Sequence, residues 1–349
     1  MVKYEKLGLV HSIKQKSTGL RMFNIEEIQK LIKSKHLKEV LDKDTQKLSM
    51  YKYSKSVFWD NLWKHHPFLE KARGLVLDMA GNIVQHPFDK IFNYGENGTA
   101  LHIKDEHKVQ MVEKLNGFLG CITKHPYKEN ELLVTTTGSF DSDFVGYIQD
   151  FITPDLKERF LAHFKETDET LMFEVIHPKD NEHPVSYKES EQGLWLIGAR
   201  EKKSDSKIKD ESYLDWLGTE LQLRRPKHQI VDFKTVRDLA NTAEGEGFIV
   251  RDLSTGEPVV KFKTTNYLAI KMLGRLSTNN IKFMYAEPEK FKQRLDEEYG
   301  PIVDIILKAF PTAEQLEAVP RTERMNMVRD MVREMRVTQE HEAAASPTI

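Results

Sequence analysis

Between about residue 73 and residue 263 the chain is punctuated by short apolar or β-branched runs, and beyond about Asn280 those runs stop. They fall at 75–77, 118–123, 132–137, 171–176, 194–197, 248–251 and 259–263, several separated by Gly, Asn or Pro turn signals. Short runs broken by turns suit antiparallel pairing. The residues that follow carry apolar side chains at helical spacing, as in 289–310 and 321–336. In the second of these Met325, Val328, Val332 and Met335 share one face, the pattern of a buried helix. Residues 24–47 are also polar with apolar positions at helical spacing, the charged run 201–212 reads as an exposed loop, and 343–349 read as a frayed tail. No internal repeat is visible. This order predicts an α+β fold: antiparallel sheets with flanking helices over residues 1–278, then a small all-helical C-terminal domain over 279–349.

A length of 349 residues accommodates such a pair of domains. With 39% apolar and 30% charged residues the chain can bury a core, which excludes a wholly disordered protein. No stretch approaches the roughly 18 apolar residues that cross a bilayer. The start, Met-Val-Lys-Tyr-Glu-Lys, lacks the apolar centre of a secretory signal. A cytoplasmic location and no membrane partner are expected. The single cysteine, Cys121, excludes an internal disulfide and a cysteine-based zinc cluster. Net charge is −2, so the chain is not globally basic, but residues 1–60 hold thirteen Lys/Arg against seven Asp/Glu while 286–349 hold nine against thirteen. The N-terminal part is therefore the better candidate for touching phosphates.

The first chemical candidate is Lys114 in Lys114-Leu115-Asn116-Gly117, just ahead of the apolar run at 118. Lys-x-x-Gly is weak alone, since it also occurs at Lys16, Lys71 and Lys271. Downstream context selects among them. Glu246-Gly247 opens a strand, Ser254-Thr255-Gly256-Glu257 makes a turn, and Val259 to Lys263 returns, which predicts a β-hairpin. Lys261 and Lys263 then share one face, Phe262 takes the other, and the Glu246 carboxylate lies near them at the open end. A nucleophile, cations for a triphosphate and a carboxylate for a divalent metal are the parts of a nucleotidyl-transfer site. A lysine attacks phosphorus only as the free amine, a form that nearby cations favour. No Gly-x-x-x-x-Gly-Lys-Ser/Thr loop occurs, so ATP must be held in some other way.

The ordered motifs resemble those of the covalent nucleotidyltransferase superfamily, and within it the bacteriophage T4 RNA ligase 1-like family of ATP-dependent RNA ligases. The likeness runs from about Tyr51 to Lys271. It includes Lys71-Ala72-Arg73-Gly74-Leu75-Val76-Leu77-Asp78, Phe88-Asp89-Lys90-Ile91-Phe92-Asn93, Lys114-Leu115-Asn116-Gly117, Thr137-Gly138-Ser139-Phe140, Phe173-Glu174, the run from Gly193 to Arg200, Glu246-Gly247 and Lys261-Phe262-Lys263. The resemblance implies a nucleotidyltransferase (ATP-grasp-like ligase) domain in which Lys114 forms a lysyl-AMP intermediate. Arg73, Lys90, Lys261 and Lys263 would hold phosphates, and Glu174 would contact the ribose or a metal-bound water. Glu246 would hold Mg²⁺ or Mn²⁺, with Asn116 acting on the metal through water. ATP is then a substrate, and the partner is RNA with 5′-phosphate and 3′-hydroxyl ends. Cleaved tRNA in an RNA-repair setting is an expected source of such ends, with no obligate protein partner, and a phage-encoded protein would act in its host's cytoplasm.

Two positions depart from the family pattern. Asn116 stands where Asp is usual, which keeps a hydrogen-bonding oxygen and loses a charge, and Thr137 stands where some relatives carry a basic residue. A DNA ligase and a capping-type nucleotidyltransferase resemble the same motif order, but both place an OB-fold after the Lys-x-Lys strand, where this chain turns to helices. A non-catalytic nucleic-acid-binding relative would be expected to lose at least one of Lys114, Glu246, Lys261 and Lys263. Five His-Pro pairs, at His66, His86, His125, His177 and His183, share no metal-ligand spacing and read as turn or strand-edge residues.

Overall fold

A computed structural model of the chain describes residues 25–180, 182–183 and 185–345. The strands are β1 (Leu37–Leu41), β2 (Leu48–Tyr53), β3 (Arg73–Asp78), β4 (Ile83–Gln85), β5 (Lys108–Lys114), β6 (Phe118–Lys124), β7 (Leu132–Thr136), β8 (Glu169–Ile176), β9 (Gly193–Glu201), β10 (His228–Asp232), β11 (Gly247–Arg251) and β12 (Pro258–Lys263). They form three antiparallel four-stranded sheets, ordered β1-β2-β3-β4, β7-β6-β8-β9 and β10-β5-β11-β12. The α+β reading holds. Beyond Lys263 the described residues form helices and turns only, so no OB barrel follows the Lys-x-Lys strand. None of these helices is long and apolar enough to cross a membrane.

The described residues divide into two compact units. One takes in the chain up to Lys90, Gly117–His177 and Glu191–Arg225; the other takes in Ile91–Asn116, Pro178–Ser190 and everything from Pro226. In the first, β8 is buried along its whole length because it is central in its sheet and covered by helices. Phe173 and Leu171 pack there with Phe160 and Phe164 of the helix Pro154–Glu166 and Leu214 and Leu217 of the helix Glu211–Leu221. Leu48, Met50, Val76 and Val84 of the β1–β4 sheet meet Leu133 of β7 in a smaller cluster.

In the second unit, Val109 and Met111 of β5, Val250 of β11 and Val260 and Phe262 of β12 pack under the helix Phe233–Thr242, with Tyr94 stacked on Phe262 at 5.1 Å. Phe262 is thus in the core, as strand alternation predicted. A separate helical core holds Met272, Ile281, Met284, Phe291, Ile302 and Ile306. Val328 and Val332 are buried in it and Met325 and Met335 pack against it, so the methionine-bearing stripe is core.

Several expectations need correction. Residues 24–47 are not one helix: the helix Ile25–Lys33 gives way to β1, whose Leu-Lys-Glu-Val-Leu sequence reads equally as helix until its pairing with β2 decides. The stretch 289–310 breaks into a helix Pro288–Lys292, a 3₁₀ turn Glu297–Tyr299 and a helix Gly300–Ala309, with Pro301 confined to a first turn where its missing N–H costs nothing. The final helix extends over Arg321–Ala345, so 343–345 of the expected tail are helical, and 346–349 lie outside the described residues, as do 1–24 with Lys16. The charged run 201–212 is only partly an exposed loop: Ile208 is buried, and Glu211, also buried, is ion-paired with Arg225.

Candidate active site

Lys114 is the last residue of β5 and pairs with Gly247 of β11, which pairs in turn with Lys263 of β12. Residues opposite one another across antiparallel strands project from the same face. Lys114 and Lys263 therefore stand on one side of the sheet with bare glycine backbone between them. Gly247 is required there, because a Cβ would lie 1.9 Å from the Phe262 carbonyl oxygen.

Glu246, one residue earlier, reaches the same place. Its Oε1 is 2.7 Å from Lys114 Nζ, with side-chain exposures of 6% for the carboxylate and 22% for the lysine. The sequence pointed to cations around Lys114; the structure gives it this carboxylate partner. Burial by itself would raise the Glu246 carboxyl, but the Lys114 and Lys263 ammoniums and hydrogen bonds from Lys114 and Asn116 outweigh it and hold it below the ordinary range. Glu246 is therefore a buried, ionised carboxylate.

Asn116 is the hub of this site. Its Nδ2 donates to Glu246 Oε2 at 2.9 Å and to the Tyr267 hydroxyl at 3.1 Å, its Oδ1 accepts from the Val185 N–H at 3.1 Å, and its own N–H donates to the Tyr187 hydroxyl at 2.7 Å. The departure from Asp thus has a physical consequence. An amide donates to Glu246, where an ionised Asp would repel it. A cavity of about 740 Å³ opens beside Lys114 and Glu246, lined also by Met111, Tyr187, His228 and Phe248.

Lys261 lies one alternation back from Lys263 on β12 and pairs with Ile249. Lys263 has an unexpected partner. Its Nζ is ion-paired with Glu298 of the 3₁₀ turn, 35 residues downstream, and both side chains are largely buried. Tyr267 lies under the Lys263 ammonium, with its ring centre 5.9 Å away. Neither Glu298, Tyr187 nor Tyr267 belongs to a motif visible in the sequence.

The remaining expected residues belong to the other unit. Glu174 is buried on β8 and its Oε1 accepts from the Gly117 N–H at 2.9 Å, so the carboxylate fixes the end of the Lys-Leu-Asn-Gly motif. Lys90 is buried, with Nζ 4.3 Å from the Phe58 ring centre and 5.8 Å from that of Trp63. Its neighbour Asp89 is bound by Arg200 at 2.8 Å and Lys71 at 3.2 Å, which accounts for Lys71. Arg73 begins β3, and Gly74 beside it has φ +90° and would place a Cβ 2.8 Å from the Thr137 Cα. Lys271 lies in the helix Thr265–Arg275 and donates to the Glu182 carbonyl. Of the His-Pro pairs, His86, His125 and His177 follow directly on the ends of β4, β6 and β8. Among the described residues, no three His, Cys, Asp or Glu side chains gather as a metal site.

Gly117 gives a direct test of this packing. A Cβ there would sit 2.2 Å from the Val175 carbonyl oxygen, a backbone atom that cannot turn aside. Gly117→Ala is expected to cost about 1–3 kcal/mol of stability, read as a lowered midpoint in thermal unfolding. An unchanged midpoint would contradict the placement of Gly117 against β8.

Residues 71–272 match the family profile described as RNA ligase, of the T4 RNA ligase 1 type. The chain belongs to the T4 RNA ligase 1-like family. The matched span includes Arg73, Lys90, Lys114, Glu174, Glu246, Lys261 and Lys263, and it ends before the helices that carry Glu298. No curated protein matches the chain. Among solved structures, this RNA ligase family member is similar to an archaeal ATP-dependent RNA ligase in two forms. The first gives a TM-score of 0.57 at 17% identity over 91% of this chain and 77% of that one, and the second 0.56 at 15% identity over 87% and 76%. A putative ATP-dependent DNA ligase from Aquifex aeolicus gives 0.53 at 17% identity over 89% and 79%. At identities of 15–17% these TM-scores show a shared fold.

Proposed function

We propose that the protein joins 5′-phosphate and 3′-hydroxyl RNA ends at the expense of ATP, with AMP carried covalently on Lys114. The observation that carries this reading is the convergence of Lys114, Lys263 and the ionised Glu246 on one face of the β5–β11–β12 sheet. In the first step the Lys114 amine attacks the α-phosphorus of ATP. The N–P bond forms as the bond to pyrophosphate breaks, and the amine loses its proton. Lys261 and Lys263 are assigned to the phosphates, where fixed cations stabilise the charge that grows on the leaving group, and the family resemblance alone gives Arg73 and Lys90 a phosphate role. Glu174 is assigned to the ribose side while holding the Gly117 N–H.

A divalent cation fits the donor chemistry, since Mg²⁺ or Mn²⁺ takes hard oxygen ligands and needs only one or two carboxylates besides substrate phosphates. Glu246 is the residue that would hold it, with Asn116 beside it, and the metal's contribution would be to neutralise phosphate charge. Because Glu246 also binds Lys114, the two uses of this carboxylate compete. AMP then passes to the RNA 5′-phosphate, breaking the N–P bond, and attack by the 3′-hydroxyl seals the strand and expels AMP. We assign the helical residues 279–349 to selection of structured RNA, such as cleaved tRNA.

Sealing tests the substrate assignment. With ATP and Mg²⁺, the protein is expected to close nicked or single-stranded RNA carrying 5′-phosphate and 3′-hydroxyl ends and to close the matching DNA far more slowly. Equal or faster sealing of DNA would make it a DNA ligase. Cleaved tRNA sealed no faster than an unstructured oligonucleotide with the same ends would overturn the role given to the helices.

A further inference from the structure

The β1–β4 sheet carries a row of cations that starts at Arg73, assigned above to the ATP phosphates, and continues through two lysines not assigned there. Lys38 on β1 is the register partner of Lys52 on β2, and Lys52 is the register partner of Arg73 on β3. A bulge between Tyr51 and Lys52 creates the second pairing, and bulges are a common means of re-aiming a side chain. Partners in register project from one face, and strands lie about 4.8 Å apart, so the three cations form a transverse row roughly 10 Å long. Like charges placed directly opposite one another destabilise a sheet. Elsewhere in the same unit comparable lysines are paired, as in Lys43–Asp141 at 2.7 Å and Lys157–Glu131 at 2.8 Å. Among the described residues the side chains of Lys38, Lys52 and Arg73 have no hydrogen-bond or ion-pair partner.

Two further observations point to an anion. Lys52 Nζ lies 3.2 Å from where a Gly138 Cβ would stand, so this lysine sits at the Thr137-Gly138-Ser139 turn and supplies there the cation that Thr137 lacks. Partial burial, then the fields of Lys38, Arg73 and Lys55, hold the Lys52 amine below the usual lysine range, with no carboxylate among the causes. Protection of an open sheet edge would explain Lys38 on β1, but not Lys52 on an inner strand.

We infer that Lys38 and Lys52 form a phosphate-binding strip for the RNA strand, continuing the row that starts at Arg73 and leading from the turn at Gly138 to the edge of the sheet. The inference rests on the ligase reading above and extends it from the nucleotide to the nucleic acid. A row of this length outruns the directly linked phosphorus atoms of one triphosphate, whereas successive phosphates of an extended strand can follow it.

The test uses the full chain and its Lys38→Gln/Lys52→Gln variant. Binding of a 5′-phosphorylated single-stranded RNA oligonucleotide is titrated over a series of salt concentrations, with ATP binding and thermal unfolding measured in parallel. Two lost contacts should make the slope of log affinity against log salt shallower by about 1.4 and weaken RNA binding about tenfold at low salt. The unfolding midpoint should not fall, because a like-charge pair is removed. A Lys43→Gln/Lys157→Gln variant, which loses two paired lysines, should keep the wild-type slope. The inference is overturned if the strip variant keeps the wild-type slope and affinity, if the paired-lysine variant loses as much, or if ATP affinity falls as far as RNA affinity, which would make the row a triphosphate cradle. Failure of the ligase reading would appear separately, as absence of AMP transfer by the wild type, since this titration reads binding alone.

Discussion

Glu246→Gln is expected to slow transfer of AMP to the protein by roughly 100-fold or more, the usual scale for removing one preorganised charge from a reacting centre. The substitution keeps the shape of the side chain and its capacity to accept from Asn116, but removes the charge that Lys114 and Lys263 hold in place. It also removes the carboxylate proposed to hold the divalent cation. Single-turnover incorporation of label from ATP measures the effect. A rate within a fewfold of wild type, in a folded variant, would show that the 2.7 Å contact with Lys114 is incidental to the chemistry.

Glu298→Gln is expected to be the most destabilising of these substitutions. Lys263 and Glu298 have side-chain exposures of 14% and 9%, and removing one partner of a buried ion pair typically costs about 3–5 kcal/mol because the other charge is left uncompensated. Burial would raise the Glu298 carboxyl, but Lys263 and Lys261 bring it down to about 2, and Glu298 and Tyr299 hold the Lys263 ammonium above its usual range against its own burial. The pH dependence follows. A carboxyl whose folded-state pKa is depressed contributes fully above its unfolded value, near 4.5, and the contribution is lost as pH falls toward 2. Wild type should therefore lose stability between about pH 4.5 and 2 more steeply than Glu298→Gln. Thermal unfolding across that range measures it, and parallel curves for the two proteins would contradict the pairing.

The legible parts of the site were local in sequence. Lys261 and Lys263 share a face because they are two residues apart on a strand, and Glu246 meets Lys263 because a tight turn closes the hairpin between them. Lys114 stood out by its position ahead of an apolar strand. Its pairing with Gly247 lies between segments more than a hundred residues apart, so it was inferred from motif order and became visible only in the register of β5 with β11. Glu298 and Lys52 could not be read at all. Glu298 reaches Lys263 through a 3₁₀ turn that the helical periodicity of 289–310 hid, and Lys52 reaches Arg73 through a bulge that a strict alternation of side chains does not anticipate. The strands β1, β2, β5 and β10 were hidden for a related reason: their charged and polar residues dilute the apolar signal, and their pairing in the sheets supplies what local propensity does not.

The central claim is that Lys114 carries the nucleotide. The purified protein, shown by mass spectrometry to carry no AMP beforehand, is incubated with Mg²⁺ and ATP labelled at the α-phosphate and run on a denaturing gel beside Lys114→Ala. The account predicts label retained on the wild type and absent from the variant. Label that persists in Lys114→Ala, or a wild type that takes none, would contradict it.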